Sequence, residues 1–355
     1  MPIKKSKKLS DFSHEVILEE LNQRQSESDP SAKNLRELAE YESTILHKEL
    51  KRSQKLVYGV DDRQDLYQVS DQRIRNLADS VVSLIDVSRI SDNGDNTSTI
   101  LTVPFGESNE LCDSERYREQ PTAPRCSGFL VAPDIIATAG HCINRNNLAR
   151  NRFVFGFRMI NETEANLVIS NNDIFRGVSL IVREEISTGA DFALVRLDRP
   201  VVGHTIVPIR RSNKIDDDED VFVIGHPSGL PLKFANGAQV RDNFSSSFFT
   251  ANLDTYGGNS GSPVFNERDG VVEGILVRGD RDFVRTDSGC RVSNVCPTTG
   301  CRGEDVTRTT EFADFVPENR VVSSQLNLEN RVANLETLIN SIANDITSIK
   351  DSISS

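Results

Sequence analysis

Three short runs bring together residue types that could work as one chemical unit. Thr138-Ala139-Gly140-His141-Cys142 offers an imidazole. Gly189-Ala190-Asp191-Phe192-Ala193-Leu194 offers a carboxylate at the head of an apolar stretch. Gly257-Gly258-Asn259-Ser260-Gly261-Ser262-Pro263 offers a hydroxyl among glycines. A serine hydroxyl is a poor nucleophile at neutral pH; it needs a base to take its proton and a third group to orient that base. It also needs donors where negative charge will develop on the attacked carbonyl. Ser260, His141 and Asp191 supply the first three parts, and the amides of Gly258 and Ser260 supply the donors.

Chain order restricts the pairing. No histidine follows Ser260, so a Ser…Asp…His order of the α/β-hydrolase kind is impossible with this serine. His14 and His47 lie in a polar arm, and His204 has no comparable setting. His226, in Gly225-His226-Pro227-Ser228-Gly229, reads as a structural turn residue.

The elements that must position these runs are short. From 56 to 320, β-branched and apolar runs alternate with Gly, Pro, Asn and Asp; examples are 129–131, 135–138, 192–197, 221–224 and 274–277. This pattern reads as an all-β barrel or sandwich, and the length suits two packed barrels. Residues 1–55 hold no glycine and show helical spacing in two pieces broken at Asp29-Pro30, which reads as a helical arm or prosegment. Residues 321–355 carry Leu328, Val332, Leu335, Ile339, Ile342, Ile346, Ile349 and Ile353, spaced alternately by four and three. This is a heptad seam, with Arg331 facing Glu336 and Asp345 facing Lys350 in a parallel assembly. Isoleucine at both core positions favours three or four strands, so self-association through 328–353 is expected.

Composition narrows the partners. The chain has 355 residues and a net charge of −12, so no general attraction to nucleic acid or to an anionic membrane is expected. No apolar run approaches the ~18 residues of a membrane-spanning helix. All six cysteines, Cys112, Cys126, Cys142, Cys290, Cys296 and Cys301, lie outside the flanks, and none has zinc-knuckle spacing; a disulfide framework is expected. That points to an extracellular or periplasmic compartment. Met1–Lys5, however, lead into a polar segment without the apolar region of a signal peptide, so the two signals point in opposite directions.

Cys126-Ser127-Gly128-Phe129-Leu130 and Ala137-Thr138-Ala139-Gly140-His141-Cys142 resemble the histidine region of trypsin/chymotrypsin-like serine proteases, Asp191-Phe192-Ala193-Leu194 resembles their aspartate strand, and Gly258-Asn259-Ser260-Gly261-Ser262-Pro263 resembles the serine motif of the bacterial glutamyl-endopeptidase branch. The resemblance covers about residues 57–320. It implies two antiparallel six-stranded barrels with His141, Asp191 and Ser260 at their junction, a Cys126–Cys142 disulfide, hydrolysis of peptide bonds in protein or peptide substrates through an acyl-enzyme, and no cofactor or metal. It also implies a pocket lined by Asp254, Thr255, Leu276 and Gly279. Asp254 alone predicts preference for Arg or Lys; the Asp254-Thr255 pair also fits the glutamyl branch, but Leu276 stands where those relatives place a histidine. Arg278 is a candidate to neutralise Asp254 or to meet an acidic substrate. Asn259 departs from the aspartate that pairs with a new ammonium terminus in trypsin-type zymogens, so that activation route is not expected here; cutting near Lys51–Lys55 would release residues 1–55 as a prosegment. The competing expectation is a protease-fold binding or scaffold protein without activity.

Overall fold

The structure is a computed structural model that describes residues 57–58, 61–279, 282–296 and 302–318; the arm 1–55 and the heptad segment 328–353 lie outside the described residues. The first barrel is built from β1 (Val81–Asp86), β2 (Cys126–Ala132), β3 (Ile135–Thr138), β4 (Asn151–Phe155), β5 (Ile174–Glu185) and β6 (Asp191–Leu197). Every pairing is antiparallel, and the order β4-β5-β6-β3-β2-β1 closes on itself. In the second barrel β7 (Asp220–Gly225), β8 (Lys233–Asp242), β9 (Phe248–Ala251), β10 (Pro263–Asn266), β11 (Val272–Arg278) and β12 (Glu304–Arg308) run in the order β7-β10-β11-β12-β9-β8 and close through β7 to β8. The expected two antiparallel six-stranded barrels are present. A two-residue strand, Gln64–Asp65, adds to β8.

The period-two rule explains which side chains fill the barrels. On β4, Phe153 and Phe155 face the main core, whereas Val154 between them packs outside with Ile85, Ile100, Phe157 and Ile169. On β11, Ile275 and Val277 join the same main core, while Leu276 turns into the second barrel with Val221, Val264 and Val306. The main core spans both barrels: Phe129, Ala137 and Phe192 of the first share it with Phe222, Phe265 and Phe312 of the second. Phe192 and Phe312 meet with ring centroids 5.4 Å apart. The barrels are therefore joined by apolar packing that water does not reach.

Among the described residues two disulfides form; the Cys296 side chain and Cys301 lie outside them. Cys126–Cys142 brackets β2 and β3, as the family resemblance implied, and closes a short loop worth about 3 kcal/mol on chain entropy. Cys112–Cys290 ties the segment before β2 to a hairpin of Phe283–Arg285 and Arg291–Ser293 that lies between β11 and β12 in sequence. Among the described residues, no helix is long and apolar enough to cross a membrane.

Candidate active site

Strand register delivers the first two side chains. β6 pairs with β3 so that Ala193 faces Thr138. Two residues further out, Asp191 therefore stands beside Gly140, next to His141. The Asp191 carboxylate accepts twice from His141: Oδ1 from the backbone N–H at 3.0 Å, and Oδ2 lies 2.7 Å from Nδ1. Asp191 is 2% exposed. Burial pushes its carboxyl pKa upward, but the His141 charge and hydrogen bonds, helped by the charge of Arg278, win and hold it at about 2. An ionised, buried carboxylate on Nδ1 fixes the imidazole with its proton on that nitrogen and leaves Nε2 as the basic atom.

The serine loop comes from the second barrel and is fastened to the first by backbone. The Ser260 carbonyl accepts from Ser127 N–H at 2.9 Å, and Cys142 Sγ lies 3.6 Å from the same oxygen. Ser127 Oγ donates to the Gly258 carbonyl at 3.1 Å, and Thr138 Oγ1 donates to the Ser127 carbonyl at 2.6 Å. Ser127 thus links the strands that carry His141 to both ends of Gly258-Asn259-Ser260. Gly261 follows at φ +92°, where a Cβ would lie 2.0 Å from the Ser127 carbonyl. That contact explains the glycine after Ser260: only a residue without a side chain lets the turn lie this close to β2. Asn259 is buried, with Oδ1 accepting from Ser262 Oγ at 3.3 Å. The structure therefore brings His141, Asp191, Ser260 and Gly258 to one place on the barrel seam.

The pocket residues are distributed differently from the sequence expectation. Asp254 is buried, and its Oδ2 accepts from the Asp62 amide at 3.2 Å. Burial and the facing Asp254 charge push the Asp62 carboxyl up to about 8, so these two carboxyls hold a proton between them at neutral pH. Thr255 Oγ1 donates to Glu304 Oε2 at 3.1 Å, and a Cβ on Gly279 would lie 2.0 Å from both Glu304 oxygens. Thr255 and Gly279 thus share one neighbour, the fully buried Glu304 carboxylate. Leu276 packs its side chain inside the second barrel with Val221, Val264 and Val306, because β11 alternates. Arg278 is a correction. Its Nε donates to Asp305 at 3.0 Å, and Nη1 and Nη2 donate to the carbonyls of Ile186 and Gly189 at 3.0 and 2.6 Å. The guanidinium is spent on the turn before Asp191, away from Asp254.

Sequence reading missed Asp62, Ser127 and Glu304. A signal existed for Ser127, which stands between Cys126 and Gly128 in the quoted motif. None existed for Glu304, in a strand whose polar residues give no apolar pattern. His226 is buried with Nδ1 3.0 Å from the Leu230 carbonyl, and burial drives its pKa down to about 3, so it is a neutral structural residue. Cys126, His141 and Cys142 place possible ligand atoms within 4.8 Å of one another, but both sulfurs are committed to the disulfide and offer no thiolates to a metal.

Residues 126–275 match the family model of the trypsin-like peptidase domain. Among solved structures, one of a Glu endopeptidase in complex with MPD is 19% identical, with a TM-score of 0.41 over 73% of this chain and 98% of that one. A human heparin binding protein is 14% identical, with a TM-score of 0.42 over 72% and 95% of the two chains. No curated protein sequence matches the chain.

Proposed function

We propose that the chain is a serine endopeptidase that cleaves peptide bonds through an acyl-enzyme on Ser260. The observation that carries this reading is the Asp191–His141 pair at 2.7 Å, with the Ser260 loop fastened onto the same strands. In this reading His141 Nε2 takes the Ser260 proton as Oγ attacks the substrate carbonyl. The resulting oxyanion is met by the amides of Gly258 and Ser260. His141 then gives the proton to the leaving amine, and water repeats the cycle on the acyl-enzyme, with Asp191 stabilising the imidazolium throughout.

The same reading assigns a preference for a basic residue before the cut bond. Asp254, buried next to Thr255 in the chain, supports this: its carboxyl would draw a basic side chain and oppose an acidic one. The cysteine pairs support an extracellular or periplasmic setting, and the seam at 328–353 supports a self-associated enzyme. The test is digestion of a mixed peptide library by the full chain, with cuts mapped by mass spectrometry and Ser260→Ala as control. Cuts that vanish in Ser260→Ala and follow Lys or Arg agree with the reading. Cuts that persist in Ser260→Ala overturn the nucleophile, and Ser260-dependent cuts after Glu or Asp overturn the specificity alone.

A further inference from the structure

Two consecutive glycines, Gly257 and Gly258, precede Asn259 and Ser260. Glycine backbones choose weakly among orientations, so the direction of the peptide plane between them must be imposed by neighbours. One neighbour acts on that plane directly and a second holds the peptide before it. The Gly257 carbonyl accepts from the Ser228 N–H, and the Gly257 N–H donates to Asp282 Oδ2 at 2.8 Å. Because a trans peptide is planar, the Gly258 N–H points opposite to the Gly257 carbonyl and so away from Ser228. Among the described residues the Gly258 N–H makes no hydrogen bond. Turning the plane over would place a carbonyl oxygen where the donor now stands. It would first have to break the Ser228 contact; Asp282 acts one peptide earlier, pinning the Gly257 N–H and with it the position of the Cα about which the plane turns.

Asp282 is held firmly enough to act as such an anchor. Its carbonyl accepts from Asn294 N–H at 2.7 Å, across the base of the Phe283–Arg285 and Arg291–Ser293 hairpin. Phe283, next to it, is buried against Tyr256 and Phe105 with centroids 4.8 and 6.1 Å away. Tyr256 is itself the residue before Gly257, so hairpin and serine loop share one aromatic cluster. The Cys112–Cys290 disulfide fastens the far end of the hairpin.

We propose that Asp282 is a positioning residue for the oxyanion hole: its carboxylate holds the Gly257 amide and thereby keeps the Gly258 N–H turned toward the carbonyl that Ser260 attacks. This rests on the reading of Ser260 as the nucleophile. The experiment compares Asp282→Ala and Asp282→Asn with the unaltered full chain on a peptide anilide, and measures inhibition by a peptide aldehyde whose hemiacetal oxygen occupies the hole. Loss of a whole oxyanion donor costs about 10²–10³ in kcat, so a donor that is merely misaimed should cost about 10–100-fold. Asp282→Ala is expected to lose that factor in kcat with KM nearly unchanged, and to lose aldehyde affinity in proportion. Asp282→Asn keeps an acceptor oxygen and is expected to recover most of both. Unchanged kcat in Asp282→Ala overturns the proposal, as does a kcat loss without loss of aldehyde affinity. If Asp282→Ala does not fold, an Asp282→Asn variant that folds but is as impaired as a donor deletion also overturns it. Activity that survives Ser260→Ala would instead overturn the underlying reading.

Discussion

Replacing Asp191 by Asn tests the proposed machinery at the point where the geometry is most demanding. The carboxylate accepts two donors, the His141 backbone N–H at 3.0 Å and the His141 ring at 2.7 Å. An amide has only one acceptor oxygen. The backbone N–H cannot change its role, so the Asn oxygen must stay with it and the NH₂ must face Nδ1. Nδ1 then has to accept, which moves the ring proton to Nε2 and removes the base that Ser260 needs. The wrong tautomer in a triad of this kind lowers kcat by about 10⁴, or roughly 5.4 kcal/mol of transition-state stabilisation. KM should move little, because substrate binding does not use the ring proton. The same carboxylate also makes a stability prediction. Its pKa falls from 3.8 to about 2 on folding, which at ~1.4 kcal/mol per unit is worth about 2 kcal/mol. Because the folded value is depressed, this contribution is complete above pH ~4 and is lost as pH falls toward 2. The assay is steady-state cleavage of a peptide anilide at pH 8, with thermal midpoints at pH 7 and pH 3 as the second reading. Asp191→Asn should also have a shallower acid limb than the unaltered chain. A kcat loss below tenfold in a folded Asp191→Asn would refute the tautomer argument.

Gly261→Ala should destabilise the fold by at least ~2 kcal/mol, since the new Cβ would sit 2.0 Å from the Ser127 carbonyl at a positive φ; a urea midpoint within error of the parent would contradict this. Asp62→Asn should raise the thermal midpoint at pH 8 and flatten its dependence between pH 4 and 8. The reason is that the Asp62 pKa rises to about 8 on folding, so folding takes up a proton at neutral pH and the native state loses ground as pH climbs from ~4 to 8. An amide at this position donates to Asp254 without that proton, and an unaltered pH slope would show that the two carboxyls do not face each other.

What could be read from the sequence follows from how local the cause was. β2, β3, β6, β7 and β11 announce themselves as apolar runs because each is buried over nearly its whole length. The runs holding His141, Asp191 and Ser260 stood out in the sequence because each sets one chemically capable side chain among glycines and small residues. β12 was not legible. Glu304, Asp305, Thr307 and Arg308 surround one apolar residue, Val306, yet all five are buried. They are solvated by partners far away in sequence: Glu304 by Thr255, Asp305 by Arg278, and Thr307 by the Asp191 amide at 3.1 Å. No local pattern encodes a partner 27 to 116 residues distant. Leu276 shows a different limit of a local motif. The family resemblance located its position along β11, but alternation decided which way it points.

The distant polar bonds of β12 also explain why the site can stay aligned across two barrels. Apolar packing holds the barrels together but is non-directional, so by itself it would let one barrel slide against the other. Directional bonds crossing the seam remove that freedom. Thr307 accepts from the backbone N–H of Asp191, and Arg278 donates to two carbonyls of the turn that leads into it; both residues belong to the second barrel and hold the backbone that carries Asp191 in the first. Ser127 does the reverse, acting from the first barrel on the Gly258 and Ser260 carbonyls. A buried ion pair such as Arg278–Asp305 contributes little net stability after desolvation, but removing one partner leaves a charge stranded. Its retention in so costly a place is better accounted for by what the guanidinium positions than by what it stabilises. If so, Arg278→Met with Asp305→Leu, a pair that removes both charges, should keep the fold while lowering kcat. An unchanged kcat in that folded double variant would mean that packing alone suffices to hold Asp191 against His141.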